Sequence, residues 1–234
     1  MRIKRIPYKK CPLCNSNKIV PELKANCSKH RLYSESLNHI ITWMRCKKCD
    51  HNFTNGYFGE DGMNELSRKS HESQVFSLSK AENWRIICGR MVSTVSDLRN
   101  KYDGRWLDIG FGNGALLLAA KEYGYTVTGI DMRQSSIDAL KPYIADLRNM
   151  DFLDLRDYGA FDVISFADVI EHVPFPGFFL EQTNKLLKED GLVFISLPNS
   201  LNIPCFFSLR FPTIFPNIPP PIIPKKSPVP AKPV

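Results

Sequence analysis

Between residues 84 and 98, apolar side chains recur at steps of three and four: Trp84, Ile87, Cys88, Met91, Val92, Val95 and Leu98. That spacing predicts an amphipathic helix whose apolar face packs against the domain that follows, with Cys88 as a core residue rather than a ligand or nucleophile. From residue 105 the pattern changes. Short apolar runs at 105–109, 125–130, 161–166 and 191–197 read as strands. Helical stretches fall between them at 115–123, near 135–147 with Pro142 inside, and at 176–188. Gly124 stops the first of these. Strands alternating with helices predict an α/β fold: a Rossmann-like, doubly wound, mostly parallel sheet with helices on both faces. Ligands of such sheets bind at the carboxyl ends of the strands.

The rest of the chain lacks this alternation. Residues 1–58 are rich in Cys and Lys and show little helical periodicity, and eleven of the seventeen prolines fall in 198–234. The expected organisation is a small module (1–58), a helical connector (59–102), a core (103–200) and a Pro-rich tail (201–234), without internal repeats. The apolar fraction of 43% and charged fraction of 24% suit a soluble globular protein. No run is long and apolar enough to span a membrane. The basic N-terminus leads straight into Cys11-Pro12-Leu13-Cys14 without the apolar stretch of a secretory signal, which predicts a cytoplasmic protein. The net charge of +7 is uneven: residues 1–50 carry +9 and the remainder −2. Such a module would attract nucleic acid or an anionic substrate such as a sugar nucleotide, or would simply present solvated lysines.

Cys11-x2-Cys14 and Cys46-x2-Cys49 stand thirty-one residues apart. Two such knuckles match a structural zinc site in which four thiolates complete a tetrahedron, and the chain between them must form a hairpin or loop. A module of this size buries too little core to fold unaided, and metal would supply the missing free energy. Four cysteines leave no open position for catalysis at the metal. Cys27, His30 and His51 are expected at the surface. Neither pair follows a strand in a βαβ unit, which argues against a redox role.

The strand ending at Ile109 runs into Gly110-Phe111-Gly112-Asn113-Gly114. Alternating glycines allow a tight turn and close approach of a ligand to bare backbone. The helix behind them adds N–H donors and partial positive charge. The spacing is G-x-G-x-G, not the G-x-G-x-x-G of dinucleotide folds. Asp131 closes the second strand, twenty-one residues after Gly110. Its carboxylate can accept both hydroxyls of a ribose or can cap the next helix. The relative placement of loop and acid favours the ribose.

Five blocks in one order, WLDIGFGNG, VTGIDM, MDFLDL, FDVISFADVIEHV and LKEDGLVFISLPN, span residues 105–199. This region resembles the class I S-adenosylmethionine (SAM)-dependent methyltransferases of the broad group that includes ubiquinone-biosynthesis and sugar methyltransferases. The resemblance implies that Asp108, Gly110, Phe111 and Gly112 line the methionine side, with Gly114 allowing close helix packing. It places Asp131 on the ribose, Met132 on the adenine face, Asp151 and the Phe152 backbone at the adenine amino group, and Ala167 and Asp168 beside the sulfonium. For an alcohol acceptor His172, next to Glu171, is the candidate general base; its alternative is to orient a loop before Pro174. A zinc-ribbon-like module ahead of such a core is similar in domain order to some methyltransferases of deoxysugars and surface polysaccharides. The expected acceptor is therefore a small molecule such as a sugar or sugar nucleotide. An RNA methyltransferase using the basic module, and a non-catalytic SAM-binding protein, remain alternatives.

One departure stands out. The family's core continues past its fifth strand with a helix and an antiparallel hairpin, whereas here thirty-five Pro-rich residues follow Asn199. Proline removes ladder donors and breaks helices, so the expectation is a core lacking its last strands. A shortened homologue, a truncated reading of a longer protein, or a partner-binding tail would each account for it.

Overall fold

The computed structural model describes residues 3–30, 33–59, 61–63, 65–66 and 77–197. The tail read as Pro-rich from 201 lies outside the described residues, as does the stretch where further strands would fall. The chain divides into two units.

In the first unit, β1 (Ile6–Pro7) pairs antiparallel with β5 (Gly56–Tyr57). A second antiparallel sheet runs in the order β2 (Ile19–Asn26), β3 (Ile40–Cys46), β4 (Asn52–Thr54). The chain between the two cysteine knuckles is thus the β2–β3 hairpin. Pro21 is tolerated because β2 is an edge strand, and the register shifts between Pro21 and Leu23. Among the described residues its main apolar cluster is small: Cys11, Cys46 and Phe53, flanked by Tyr8, Leu13, Cys14, Ile19 and Met44, with Leu37 and Phe58 buried elsewhere in the unit.

The second unit carries five parallel strands in the order β10-β9-β6-β7-β8. They are β6 (Arg105–Ile109), β7 (Thr126–Ile130), β8 (Asp146–Arg148), β9 (Phe161–Ala167) and β10 (Leu187–Ser196). The helices are α1 (Leu78–Arg99), α2 (Ala115–Glu122), α3 (Gln134–Leu140) and α4 (Pro176–Leu186). Numbered from β6, the order reads 5-4-1-2-3, the Rossmann-like doubly wound arrangement expected from the alternation. The direction of winding reverses between β6 and β9, and sheets of this kind bind their ligands at the carboxyl ends of the strands beside such a switch point. Apolar clusters cover both faces of the sheet. One joins Cys88, Val92 and Val95 of α1 to Trp106, Leu117 and Val163; the other joins Leu107, Phe152, Phe161, Phe166 and Leu186. None of the described helices is long and apolar enough to cross a membrane.

Several boundaries differ from expectation. The helix predicted near 135–147 stops at Leu140, and Asp146–Arg148 forms the outermost strand β8 instead. Lys141 keeps helical geometry as the C-cap, but Pro142 has no N–H to continue the ladder, so the helix ends there. β10 begins at Leu187 rather than at Gly191, accommodated by a register shift between Leu187 and Leu192. Cys88 is buried as expected, but Trp84 and Leu98, at the two ends of the predicted apolar stripe, are largely exposed.

Gly114 holds the turn between β6 and α2. Its φ is 72°, and a Cβ there would stand 2.7 Å from Leu140 Cδ2, on a fully buried side chain. Gly114→Ala is expected to lower the melting temperature, with about 1–2 kcal/mol arising from the left-handed backbone alone. An unchanged melting curve would contradict this account of the turn.

Candidate functional site

The candidate site is built on the glycine loop. Gly110, Gly112 and Gly114 all have positive φ, at 65°, 55° and 72°. At Gly110 a Cβ would meet Val169 Cγ2 at 2.7 Å, whereas at Gly112 the nearest atom outside the adjacent residues is 3.8 Å away. Gly112 therefore leaves its backbone bare on the side a side chain would occupy. Asn113 Oδ1 accepts from Ala115 N at 3.0 Å and caps the first turn of α2.

Asp108 points into the interior from β6 and is fully buried. Ser165 of β9 donates its hydroxyl to Asp108 Oδ1 at 2.6 Å, and Trp106 Nε1 donates to Ser165 Oγ at 2.8 Å. Burial pushes the Asp108 carboxyl up to about 7, against the Ser165 hydrogen bond and with help from the nearby charge of Asp131. A raised folded-state pKa means that the folded chain holds this proton longer than the unfolded chain. Stability should therefore fall as pH rises from about 4, the unfolded carboxyl value, to about 7. In Asp108→Asn, which can keep the Ser165 hydrogen bond, denaturant unfolding of the ligand-free chain should lose much of that pH slope. An equally steep slope in the variant would remove Asp108 as its source.

Asp131, at the end of β7, is also buried. Its Oδ2 accepts from Gly112 N at 3.1 Å, tying acid to glycine loop, and from Arg133 Nη2 at 2.7 Å. Its Oδ1 accepts from the Arg133 backbone N–H and Nε, both at 2.9 Å. Asp131 is not the cap of α3; the residue at that position is Arg133. Met132, beside it, is 70% exposed. Asp151 is exposed at the start of a 3-10 turn (Phe152–Asp154) and caps Leu153 N at 2.8 Å. The Phe152 ring is buried against Phe166 and Phe179.

β9 ends at Ala167, and Asp168 follows with φ 54°, uncommon for a non-glycine residue. Ser196 donates to Asp168 Oδ1 at 3.3 Å. Burial raises the Asp168 and Glu171 carboxyls above their usual range, with the Ser196 hydrogen bond opposing it at Asp168. His172 lies in a 3-10 turn (Ile170–His172), 73% exposed at its side chain, with Nε2 3.8 Å from Glu171 Oε1. The structure thus brings Asp108, Gly110, Gly112, Asp131, Ala167 and Asp168 to the carboxyl ends of three neighbouring strands. Asp151 and Phe152 follow β8. The Ser165 link and the Arg133 clamp are absent from the sequence reading. A serine inside the apolar run Phe161–Ala167, and an arginine two residues beyond a strand-terminal acid, were the signals available for them.

In the first unit, the sulfurs of Cys11, Cys14, Cys46 and Cys49 lie within 4.8 Å of one another. Cys11 Sγ is 3.7 Å from Cys49 Sγ, and Cys14 Sγ is 3.6 Å from Cys46 Sγ. The two knuckles fold alike. Asn15 N donates to Cys11 O and Asp50 N to Cys46 O, each at 2.9 Å, and Asn15 and Asp50 both adopt positive φ. Burial acts against the Cys46 thiolate, yet the amides of Cys49 and Lys48 and the neighbouring thiols bring Cys46 down to about 6. Among the described residues, Cys27 and His30 do not join this cluster. His51 does not sit at the surface as expected. It is half-buried, stacked on Phe53, with Nδ1 3.7 Å from Cys11 Sγ.

Residues 83–209 match the methyltransferase domain family, more than half of the chain. The chain belongs to this family. The match begins within α1 and includes every strand of the parallel sheet. The chain is also 37% identical over 106 residues to a ubiquinone biosynthesis O-methyltransferase of Glaesserella parasuis, covering 40% of this chain and 44% of that protein. It is 31% identical over 136 residues to the protein of the same name from Coxiella burnetii, covering 51% and 58%. The chain therefore spans about half the length of these curated relatives. Among solved structures, a SAM-dependent methyltransferase from Archaeoglobus fulgidus is similar at a TM-score of 0.45 and 21% identity, over 51% of this chain and 54% of that one.

Proposed function

We propose that this chain is a SAM-dependent methyltransferase acting on a small molecule. The observation that carries the reading is the bare glycine turn at Gly112 hydrogen-bonded to the buried Asp131 carboxylate, at the carboxyl ends of the adjacent strands β6 and β7. A bare backbone turn, helix N–H groups and a buried carboxylate are the donor and acceptor set that an amino acid joined to a ribose requires. In this reading Asp131 accepts the ribose hydroxyls and Met132 lies along the adenine. Asp151 and the Phe152 backbone meet its amino edge. Gly110, Phe111, Gly112 and Asp108 line the methionine end, with Gly114 setting the helix against the loop. Ala167 and Asp168 close the side where transfer occurs.

SAM supplies a methyl group already activated on a sulfonium. The protein's task is then to orient the acceptor, exclude water and manage one proton. For a hydroxyl acceptor His172 takes that proton at an imidazole nitrogen, and the Glu171 carboxylate beside it stabilises the resulting charge. His172→Ala is expected to lower the transfer rate by roughly 10²-fold or more while leaving SAM affinity unchanged. Equal rates would leave His172 with a loop-orienting role only.

The sugar or sugar-nucleotide acceptor rests on domain order and on the +9 charge of residues 1–50. The names of the curated relatives speak for a small molecule but not for a sugar. The four-cysteine cluster is read as a structural zinc site. Zinc–sulfur bonds of about 2.3 Å place tetrahedral sulfurs about 3.8 Å apart, and two of the sulfur pairs stand at 3.6 and 3.7 Å.

Calorimetric titration with SAM and with S-adenosylhomocysteine, followed by transfer of labelled methyl to a panel of small hydroxyl compounds and nucleotide sugars, tests the reading. Micromolar binding of both ligands is expected. Folded protein that binds neither would overturn it.

A further inference from the structure

The Asp131 carboxylate is already full. Its two oxygens offer about four acceptor positions, and four N–H groups occupy them: the backbone amides of Gly112 and Arg133, and Nε and Nη2 of Arg133. Two of the four come from the Arg133 guanidinium, a fork that engages both oxygens. A ribose seeking this carboxylate finds no vacant lone pair. A second observation concerns the space rather than the hydrogen bonds. The atoms closest to where a Cβ would sit on Gly112 are Arg133 Nη2 and Gly110 O, both at 3.8 Å. The guanidinium thus borders the bare backbone that the glycine leaves open. Its side chain is only 12% exposed.

We propose that Arg133 is a displaceable latch on the cofactor site, setting SAM affinity by competing for Asp131 and for the space over Gly112. The inference rests on the reading of Asp131 as the ribose acceptor. When a nucleoside binds, its hydroxyls replace the two guanidinium bonds, and the Gly112 and Arg133 amides keep theirs. Arg133 precedes α3, and Met132 beside it is largely exposed, so a withdrawn guanidinium has solvent within reach. A long, flexible side chain can make that move without unwinding the helix. The exchange trades one buried ion pair for hydrogen bonds to neutral hydroxyls, and only the fraction of molecules with Arg133 withdrawn is competent to bind. The apparent affinity is lowered by that fraction. Arg133 would thereby favour a ligand bearing two adjacent hydroxyls, able to refill both carboxylate oxygens, over one bearing a single hydroxyl.

Calorimetry with S-adenosylhomocysteine on the full chain, Arg133→Ala and Asp131→Asn tests this. Arg133→Ala is expected to bind roughly tenfold tighter than the unchanged chain, and Asp131→Asn to bind more weakly. If Arg133→Ala binds equally or more weakly while Asp131→Asn also weakens, the latch is overturned and the ribose role stands. If Asp131→Asn binds like the unchanged chain, both fall. Removing Arg133 leaves a buried carboxylate unpaired, so a second measurement uses the native sequence. The 15N-labelled Nε–H resonance of Arg133 should move toward the position of a solvated arginine on adding S-adenosylhomocysteine. A resonance unmoved at saturation would rule out displacement.

Discussion

Asp131→Ala is expected to cost the chain nearly all of its SAM affinity, on the order of a hundredfold or more, without unfolding it. Hydrogen bonds to a charged acceptor are each worth about 1.5–3 kcal/mol, and a buried carboxylate that receives two ribose hydroxyls loses both at once. The same substitution removes one partner of a buried ion pair with Arg133, whose side chain is only 12% exposed, so the melting transition should fall. Circular dichroism at room temperature should show the fold retained, while calorimetric titration with SAM loses its signal. Affinity within twofold of the unchanged chain would overturn the ribose assignment, whatever happens to catalysis.

Metal withdrawal should have the largest effect on structure. Among the described residues, the first unit's main apolar cluster is two of the four cysteines, Phe53 and a few half-buried neighbours, with Leu37 and Phe58 also buried, so the cysteine group stands at the centre of that cluster. So small an apolar core cannot offset the conformational entropy of five short strands and two knuckles. Metal-binding free energy is then folding free energy. Purified protein should carry about one zinc per chain. A strong chelator, or Cys46→Ser, should abolish hydrogen-exchange protection in β2, β3 and β4. Lys48→Ala, which keeps the amide that donates to Cys46 Sγ at 3.4 Å, should leave protection intact. Protection that survives complete metal removal would show that the four sulfurs are packed thiols rather than ligands.

The sheet was legible because its central strands are buried on both faces. Runs such as Arg105–Ile109 and Phe161–Ala167 cannot sit anywhere but the middle, and glycines with bare backbone mark the turn between strand and helix. β8 was not legible. It is three residues long, Asp146-Leu147-Arg148, and carries two charges that pair with each other on the sheet's rim. Nothing in an apolar pattern announces such a strand; its identity comes from pairing with β7. Of the site, the acids and glycines could be read because their spacing follows from the βαβ unit. Arg133 could not, since a helix-starting arginine on a basic chain looks like any solvated cation until its partners are seen. The knuckle cysteines were legible by spacing alone. The inward turn of His51 was not, since it depends on stacking against Phe53.

The chain from Trp106 through Ser165 to Asp108 makes one of the three tryptophans an optical reporter. Trp43 and Trp84 are substantially exposed, whereas Trp106 is wholly buried and its indole N–H is two hydrogen bonds from the Asp108 carboxyl. A buried indole emits to the blue of exposed ones, so the blue edge of the emission spectrum is expected from Trp106. A change of charge on Asp108, whether from titration or from a ligand settling against β6, reaches the ring as a change in local field. The site can thus be followed by its own fluorescence, without a label and without knowing the acceptor.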